Sequence, residues 1–329
     1  MKEAMYQKQV PVGKVRCVLC PHRCLLANNK MGLCLVRENK DGVLYTKVYE
    51  EVSSYTMDPI EKKPLYHFYP GSQIFSVGSW GCNMKCNMCQ NWNISQQQVA
   101  TEHFKKEDLV EIAIQNDSIG IAFTYNEPVI WYEYVLDTAK VARDRGLKTV
   151  LVTNGFISEE PLKELLPHID AMNIDLKGCD ESYYREVCGG QLAPVMRTIR
   201  LAHEFGTHIE LTNLVVPTLN DRPEDILEIV QWVASISRDI PLHFTRYFPQ
   251  YKMDIEPTEV PTLIAAQKMG MKQLNYVYIG NVPSESGGSD TMCPSCGNLV
   301  IKRKWPDIGL ANLKDGKCGH CGEKIAGKF

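Results

Sequence analysis

Between residues 74 and 282 the chain repeats one pattern: a short apolar run, then a longer stretch with helical spacing of its apolar residues. The runs are IFSVGS (74–79), GIAFTY (120–125), TVLVTN (149–154), AMNIDLK (171–177), IELTNLVV (209–216), PLHFTRYF (241–248) and NYVYIGNV (275–282). Between them lie KKEDLVEIAIQ, VIWYEYVLDTAKVARDRG, PLKELLPHI, VMRTIRLAHEFG, PEDILEIVQWVASI and VPTLIAAQKMG. Strands that alternate with helices in this way are joined by crossovers and pair in parallel. The expected fold is therefore α/β: a partial, open parallel (βα)6-type TIM barrel of six or seven strands. Asp221 and Thr258 are the expected N-caps, and Gly146, Gly206 and Gly270 the expected helix stops.

In a parallel barrel the C-terminal ends of the strands converge on one face, so residues far apart in sequence share a cavity. Polar residues recur at those ends: Asn126 and Glu127, Thr153 and Asn154, Asp175 and Lys177, Asn213, His243 with Thr245 and Arg246, and Asn281. Each alone reads equally well as a cap or a loop end. Their recurrence after successive strands marks a site.

Eleven of the thirteen cysteines form three clusters, and these divide the chain. An N-terminal Cys-rich module (1–70) carries Cys17, Cys20, Cys24 and Cys34. The catalytic domain (71–285) opens on Cys82, Cys86 and Cys89, and a C-terminal module (286–329) carries Cys293, Cys296, Cys318 and Cys321. The N-terminus lacks the apolar core of a signal peptide and no apolar run is long enough for a membrane span, so the expected location is cytoplasmic. Thiols stay reduced there and read as metal ligands rather than disulfides. With 36 Lys and Arg against 39 Asp and Glu, and no basic block, no nucleic-acid or membrane surface is expected. The length of 329 residues and 44% hydrophobic content suffice for one large core with small additions.

The triplet SWGCNMKCNMCQNW offers three thiolates and no near fourth ligand; the closest histidines, His67 and His103, are more than ten residues away. A structural zinc site closes four ligands. Clustered thiolates in a cytosolic enzyme suit iron–sulfur ligation better, and three cysteines on a four-iron cluster leave one iron open to a substrate or cofactor. The C-terminal module places two Cys-x2-Cys knuckles 21 residues apart, each followed by Gly, which predicts a zinc ribbon with a rubredoxin-like iron as the rival occupant. The Gly- and Ser-rich stretch 284–290 before it reads as a flexible linker, which makes the ribbon separable. The N-terminal set, Cys-x2-Cys-x3-Cys and then Cys34, suits zinc or a second iron–sulfur cluster.

Cys-x3-Cys-x2-Cys after the first barrel strand resembles the radical S-adenosylmethionine (SAM) superfamily. With FTYNEP (123–128), LVTNGF (151–156), NIDLKG (173–178), the C-terminal ribbon and CVLCPHRC (17–24), essentially the full chain resembles the AmmeMemoRadiSam enzymes, relatives of the pyruvate formate-lyase activating enzymes. The resemblance implies a [4Fe–4S] cluster on Cys82, Cys86 and Cys89 whose open iron is chelated by the methionyl group of SAM. It further implies reductive, anaerobic cleavage of SAM to a 5′-deoxyadenosyl radical that abstracts hydrogen, a low-potential electron donor, and AMMECR-type and Memo-type partner proteins. Glu127 stands where the activating enzymes carry the Glu of a Gly-Gly-Glu motif, with Tyr125 and Asn126 replacing the two glycines. Asn126, Asn154, Asp175 and Lys177 are expected cofactor contacts with Glu127, although Asp175 and Lys177 also suit a structural ion pair. His243 is a further candidate contact. Trp80 and Trp92 suit either a dry wall for the site or ordinary core, and Cys188 is a candidate hydrogen donor to a substrate radical.

Two enzyme readings follow, an oxidoreductase acting on a small molecule or peptide and an activase acting on a glycyl-radical enzyme. A reading of another class is a non-catalytic zinc-ribbon adaptor for protein or nucleic acid, against which the strand-end polar residues speak.

Overall fold

The computed structural model describes residues 1–11, 13–304 and 307–329. Seven strands form the expected parallel array: β2 (Gln73–Gly78), β3 (Gly120–Phe123), β4 (Lys148–Thr153), β5 (Ala171–Asp175), β6 (His208–Val215), β7 (Leu242–Arg246) and β8 (Val277–Gly280). They lie side by side in chain order, with Leu211, Leu242 and Val277 in register. An eighth strand, β1 (Ser54–Pro59), pairs antiparallel with β2 on the far edge. It falls before residue 70, so the sheet begins earlier in the chain than the expected boundary. In its SYTMDP sequence Tyr55 and Met57 alternate with Ser54, Thr56 and Asp58, a period-2 signal that lies outside the seven apolar runs.

Six helices fill the crossovers: α1 (Lys106–Gln115), α2 (Tyr132–Asp144), α3 (Glu159–Leu165), α4 (Leu192–Phe205), α5 (Pro223–Ile236) and α6 (Val260–Gly270). Gly206 stops α4 in the left-handed conformation at φ +89°, as its lack of a Cβ allows. The expected N-caps differ. Arg222 and Glu259 take the cap positions of α5 and α6. The Asp221 carboxylate instead accepts from Thr218 N at 2.8 Å, while buried Thr258 donates its hydroxyl to Val215 O at 2.6 Å. Gly270 closes α6 as its last residue, with Met271 at the cap.

The two faces of the sheet do different work. Outward side chains such as Phe75, Ile121, Phe123, Leu151, Ile174, Leu211 and Phe244 join the helices in the main core. Inward Ile74, Ala122, Val150 and Ala171 pack instead on Ile60, Leu65 and Phe68. The segment 60–68 thus plugs the N-terminal end of the barrel. Asn173 Nδ2 donates to Pro64 O at 2.8 Å, and the Glu210 carboxylate accepts from Tyr66 N at 3.0 Å and His67 N at 2.7 Å.

The C-terminal strands Thr291–Met292, Leu299–Lys304 and Asp307–Gly309 sit against this plug. Val300, Ile301 and Ile325 are buried with Tyr276 and Tyr278 of the barrel edge. Arg303 lies 4.3 Å over the Tyr66 ring and donates to Tyr66 O at 2.6 Å and Thr291 Oγ1 at 2.7 Å. The stretch 284–290 is docked: Gly288 O accepts from Ile279 N and from Gln267 Nε2, and Asp290 accepts from Arg303 N. The expectation of a flexible linker is therefore corrected. Composition favoured flexibility, but the edge strand β8 offers donors that this segment satisfies.

His67 ties the plug to this C-terminal segment. It pairs through Nδ1 with Ala326 O at 2.6 Å and through Nε2 with the Tyr278 hydroxyl at 2.5 Å. Burial pushes its pKa down to about 4. The folded chain therefore holds neutral His67, whereas the unfolded chain binds a proton near 6.5. Stability should be intact above about pH 6.5 and fall as pH drops toward 4, by up to about 3 kcal/mol. Thermal midpoints measured across that window should show the decline. A slope unchanged in His67→Gln would assign it to other groups.

Candidate functional site

After β2 the chain enters the loop 79–91, which holds the cysteine triplet and has no ladder of its own. Neighbouring elements supply its hydrogen bonds. The Asn126 amide accepts from Ser79 N at 2.9 Å and donates to Gly81 O at 3.0 Å. Asn83 donates to Phe156 O and accepts from Asn154 Nδ2 at 2.9 Å. From the opposite side, Lys85 N donates to Cys188 O and Asn87 N to Val187 O, both at 2.9 Å. Those carbonyls end a π-helix, Tyr184–Cys188. Gly189 follows it at φ +68°, where an added Cβ would meet Lys85 N at 3.2 Å.

Cys82, Cys86 and Cys89 face one cavity of about 340 Å3, which also receives Glu127, Thr153, Asn154, Asp175, Lys177, Thr212, Thr245 and Asn281. Met84 N lies 3.3 Å from Cys82 Sγ, and Ser95 Oγ lies 3.1 Å from Cys89 Sγ. A hydrogen bond from the Cys188 thiol pulls Cys86 down to about 7, with help from the Lys177 ammonium, while burial raises Cys82 and Cys89.

The spacing of the sulfurs distinguishes the three cysteine sets. A thiolate-bound zinc has bonds of about 2.3 Å, so sulfurs sharing one ion lie no more than about 4.6 Å apart. Among the described residues, the set gathered within 4.8 Å is Cys293, Cys296, Cys318 and Cys321. There Cys293 and Cys321 are 3.6 Å apart and Cys296 and Cys318 3.7 Å. This C-terminal set can close around a single ion. The triplet is wider and suits a larger, multinuclear occupant with one side left open to the cavity.

Glu127 joins two strand ends. Its carboxylate accepts from Val129 N at 2.9 Å, Thr153 Oγ1 at 2.6 Å and Asn154 N at 2.8 Å. Burial nevertheless pushes its pKa up to about 7. Tyr125, in the place of a glycine, holds φ +70°, a conformation a bulky residue rarely takes. Its hydroxyl donates to Asp58 at 2.8 Å and its carbonyl accepts from Asn91 Nδ2 at 2.7 Å, which fixes it there. The glycine-like backbone is kept without the glycine. Asp175 and Lys177 pair at 2.8 Å on the cavity wall.

Two expected contacts, Asn126 and His243, and the strand-end residue Asn213 are placed differently. Asn126 lines the cavity, but both ends of its amide are engaged by the loop backbone. His243 lies one inward layer below Thr245, bonded to Glu210 at 2.7 Å and outside the cavity lining. Asn213 points outward to Leu176 O, leaving Thr212 and Leu214 inward. Counting period two from Glu210 would have found Thr212. Lys62 and Pro64 also line the cavity, and nothing in the sequence shows that their segment enters the barrel.

Residues 78–233 match the Radical SAM superfamily profile. Across nearly its whole length the chain is also 44% identical to the uncharacterized protein MJ0808 of Methanocaldococcus jannaschii, covering 99% of each. The chain belongs to the radical SAM superfamily. It is a radical SAM oxidoreductase related to the activating enzymes. It is 24% identical to the pyruvate formate-lyase-activating enzyme of Clostridium pasteurianum, over 47% of this chain and 67% of that one. It is 26% identical to a putative glycyl-radical enzyme activating enzyme of M. jannaschii, over 65% and 89%. In fold it is similar to Streptococcus suis SuiB bound to the precursor peptide SuiA, with a TM-score of 0.51 at 15% identity, over 68% of this chain and about half (51%) of SuiB. Radical SAM chemistry implies a [4Fe–4S] cluster and SAM, and the open, multinuclear spacing of the triplet fits that cluster. No helix is long and apolar enough to cross a membrane among the described residues.

If Glu127 and Asp175 hold SAM in this radical SAM enzyme, Glu127→Ala and Asp175→Ala should each weaken its binding about 10- to 100-fold, the loss of a hydrogen bond to a charged group. Titration of SAM into reconstituted protein, with iron content as the control for cluster assembly, measures this. Wild-type affinity in both variants would make them structural residues only.

Proposed function

We propose that the chain binds a [4Fe–4S] cluster on Cys82, Cys86 and Cys89, cleaves SAM reductively, and abstracts hydrogen from a polar small-molecule or peptide group admitted to the same cavity. The cluster, when bound, supplies the electron for that cleavage. The carrying observation is the division of the cavity wall: three thiols on the loop after β2, and Thr212, Thr245 and Asn281 on β6, on β7 and just past β8 at the far side of the sheet. Between them stand Glu127, suited to an ammonium, and the Asp175–Lys177 pair, suited to a ribose hydroxyl and a carboxylate. Trp80 is buried and serves as core; Trp92 is exposed and stacks on Tyr251 at 5.4 Å. Buried Cys188 lies outside the cavity lining, so its part is to position Cys86 rather than to meet a substrate.

In this reading the chain is of the AmmeMemoRadiSam type, works in the cytoplasm under anaerobic conditions with a low-potential donor, and meets AMMECR-type and Memo-type proteins rather than nucleic acid. The C-terminal four-thiolate set holds zinc as a ribbon, supported by its tetrahedral spacing. A second reading, activation of a glycyl-radical enzyme, is favoured by the similarity to the two activating enzymes above.

Anaerobically reconstituted chain with SAM and a strong reductant should form 5′-deoxyadenosine and methionine, and a Cys82/Cys86/Cys89→Ala variant should form neither. Addition of candidate partners should raise the yield if one supplies the substrate. A glycyl radical signal on a partner would select the second reading. Cleavage at wild-type rate by the triple variant would overturn both.

A further inference from the structure

The N-terminal cysteines form a second centre. Cys17, Cys20, Cys24 and Cys34 line one small cavity together with His22, Arg37 and Asn83. Two turns bring them there: Cys17 N donates to Cys24 O at 3.0 Å, and Leu35 N to Gly32 O at 2.9 Å. Gly32 sits between the turns, and an added Cβ would lie 3.7 Å from both Cys24 Sγ and Cys34 Sγ. Buried Arg37 forms an ion pair with buried Glu133 through Nη2 and donates Nη1 to Met5 O at 2.8 Å, which leaves that Nη1 3.9 Å from Cys17 Sγ and brings a guanidinium to the edge of the set.

These sulfurs are not gathered within 4.8 Å as the C-terminal four are, although both sets have four cysteines. One tetrahedral ion would need them within about 4.6 Å of one another. A cluster of several irons spans the wider set.

The centre also adjoins the triplet. Gly81, next to Cys82, takes φ +89°, and a Cβ there would lie 2.5 Å from Cys34 O, so the two cysteine loops pack backbone on backbone. His22 Nε2 pairs with Asn83 O at 2.7 Å, and Lys85 is within electrostatic reach of Cys34 and of all three loop cysteines. Cys17 and Cys34 are buried, Cys34 against Gly81 of the triplet loop, while Cys20 and Cys24 are partly exposed, so the centre reaches from the surface to that loop.

We infer that Cys17, Cys20, Cys24 and Cys34 hold an auxiliary iron–sulfur cluster that passes single electrons from an external low-potential one-electron protein donor to the cluster on Cys82, Cys86 and Cys89. Each transfer oxidises the donor by one electron, reduces the auxiliary cluster, and then returns it to its oxidised form as the triplet's cluster is reduced. The relay rests on the radical SAM reading; the presence of a cluster on the N-terminal set does not.

The test uses the full chain, reconstituted anaerobically with ferrous iron and sulfide. The Cys82/Cys86/Cys89→Ala variant should retain iron and acid-labile sulfide in equal amounts, about two to four of each per chain, with a reducible electron paramagnetic resonance signal that SAM does not move. That variant with zinc in place of iron, or with no metal on the N-terminal set, would overturn the assignment. In Cys20→Ser/Cys24→Ser, reduction of the remaining cluster by reduced flavodoxin, followed by stopped flow, should slow by an order of magnitude or more; an unchanged rate would overturn the relay. Should that variant fail to fold, the wild-type protein decides: with both clusters reduced, their signals should broaden by mutual coupling, and independent signals would place the two centres too far apart.

Discussion

The structure depends on one constraint: the loop that carries Cys82, Cys86 and Cys89 cannot satisfy its own backbone. A buried polar group left unpaired is costly, so the loop's amides and carbonyls must find partners elsewhere. They find them on the end of β3 through Asn126 and on the π-helix carbonyls of Val187 and Cys188, while Asn154 at the end of β4 holds the loop by its Asn83 side chain. Three separate βα units therefore have to be in place before three sulfurs are. The cofactor geometry is a property of the whole barrel rather than of a local motif. The positive φ of Gly81, Tyr125 and Gly189 shows where that assembly is tightest, since each lies where two backbones approach.

A second layer of constraint lies beneath the cavity. Glu210 is fully buried inside the barrel, where an isolated carboxylate could not remain charged. Burial opposes its ionisation, but bonds from His208 and His243 outweigh this and hold its pKa well below the usual range. The same carboxylate accepts two amides of the plug, Tyr66 N and His67 N. His243 thus serves the floor of the site, and the C-terminal segment closes that floor from below through Arg303 and Tyr278. The plug beneath the cavity and the docking of a distant segment share one hydrogen-bonded network.

Much of this was legible in the sequence. Alternation of apolar runs with helical spacing carried the parallel sheet, because each run reads as a strand buried on both faces and each helix as a crossover. Glu127, Asn154, Asp175 and Lys177 are legible because each lies at, or within four residues of, the C-terminal end of a strand. His243 and Asn213 misled because strand ends were judged from the apolar run, which does not state where a strand leaves the barrel; an offset of one residue reverses a side chain's face. Asn126 was read by analogy as a cofactor contact, whereas its short amide reaches two loop groups at once. The plug was illegible, since IEKKPLYHF looks like any connector until Asn173 and Glu210, more than a hundred residues later, supply its partners.

The open sheet gives these parts a common logic. Seven parallel strands do not close, and β1 and β8 do not pair, so both edges need cover. On one side β1 ends the parallel array with an antiparallel strand, and on the other the segment 284–290 and the C-terminal strands occupy β8. An edge left bare would offer a template for pairing with another chain. Covering each edge with a segment that also reaches the interior converts protection into construction. After β1 the chain runs directly into the plug, bringing Lys62 and Pro64 to the cavity, and after β8 it runs to Arg303 beneath it. The elements that finish the sheet are thus the ones that shape the site's floor, while the crossover loops shape its cysteine wall.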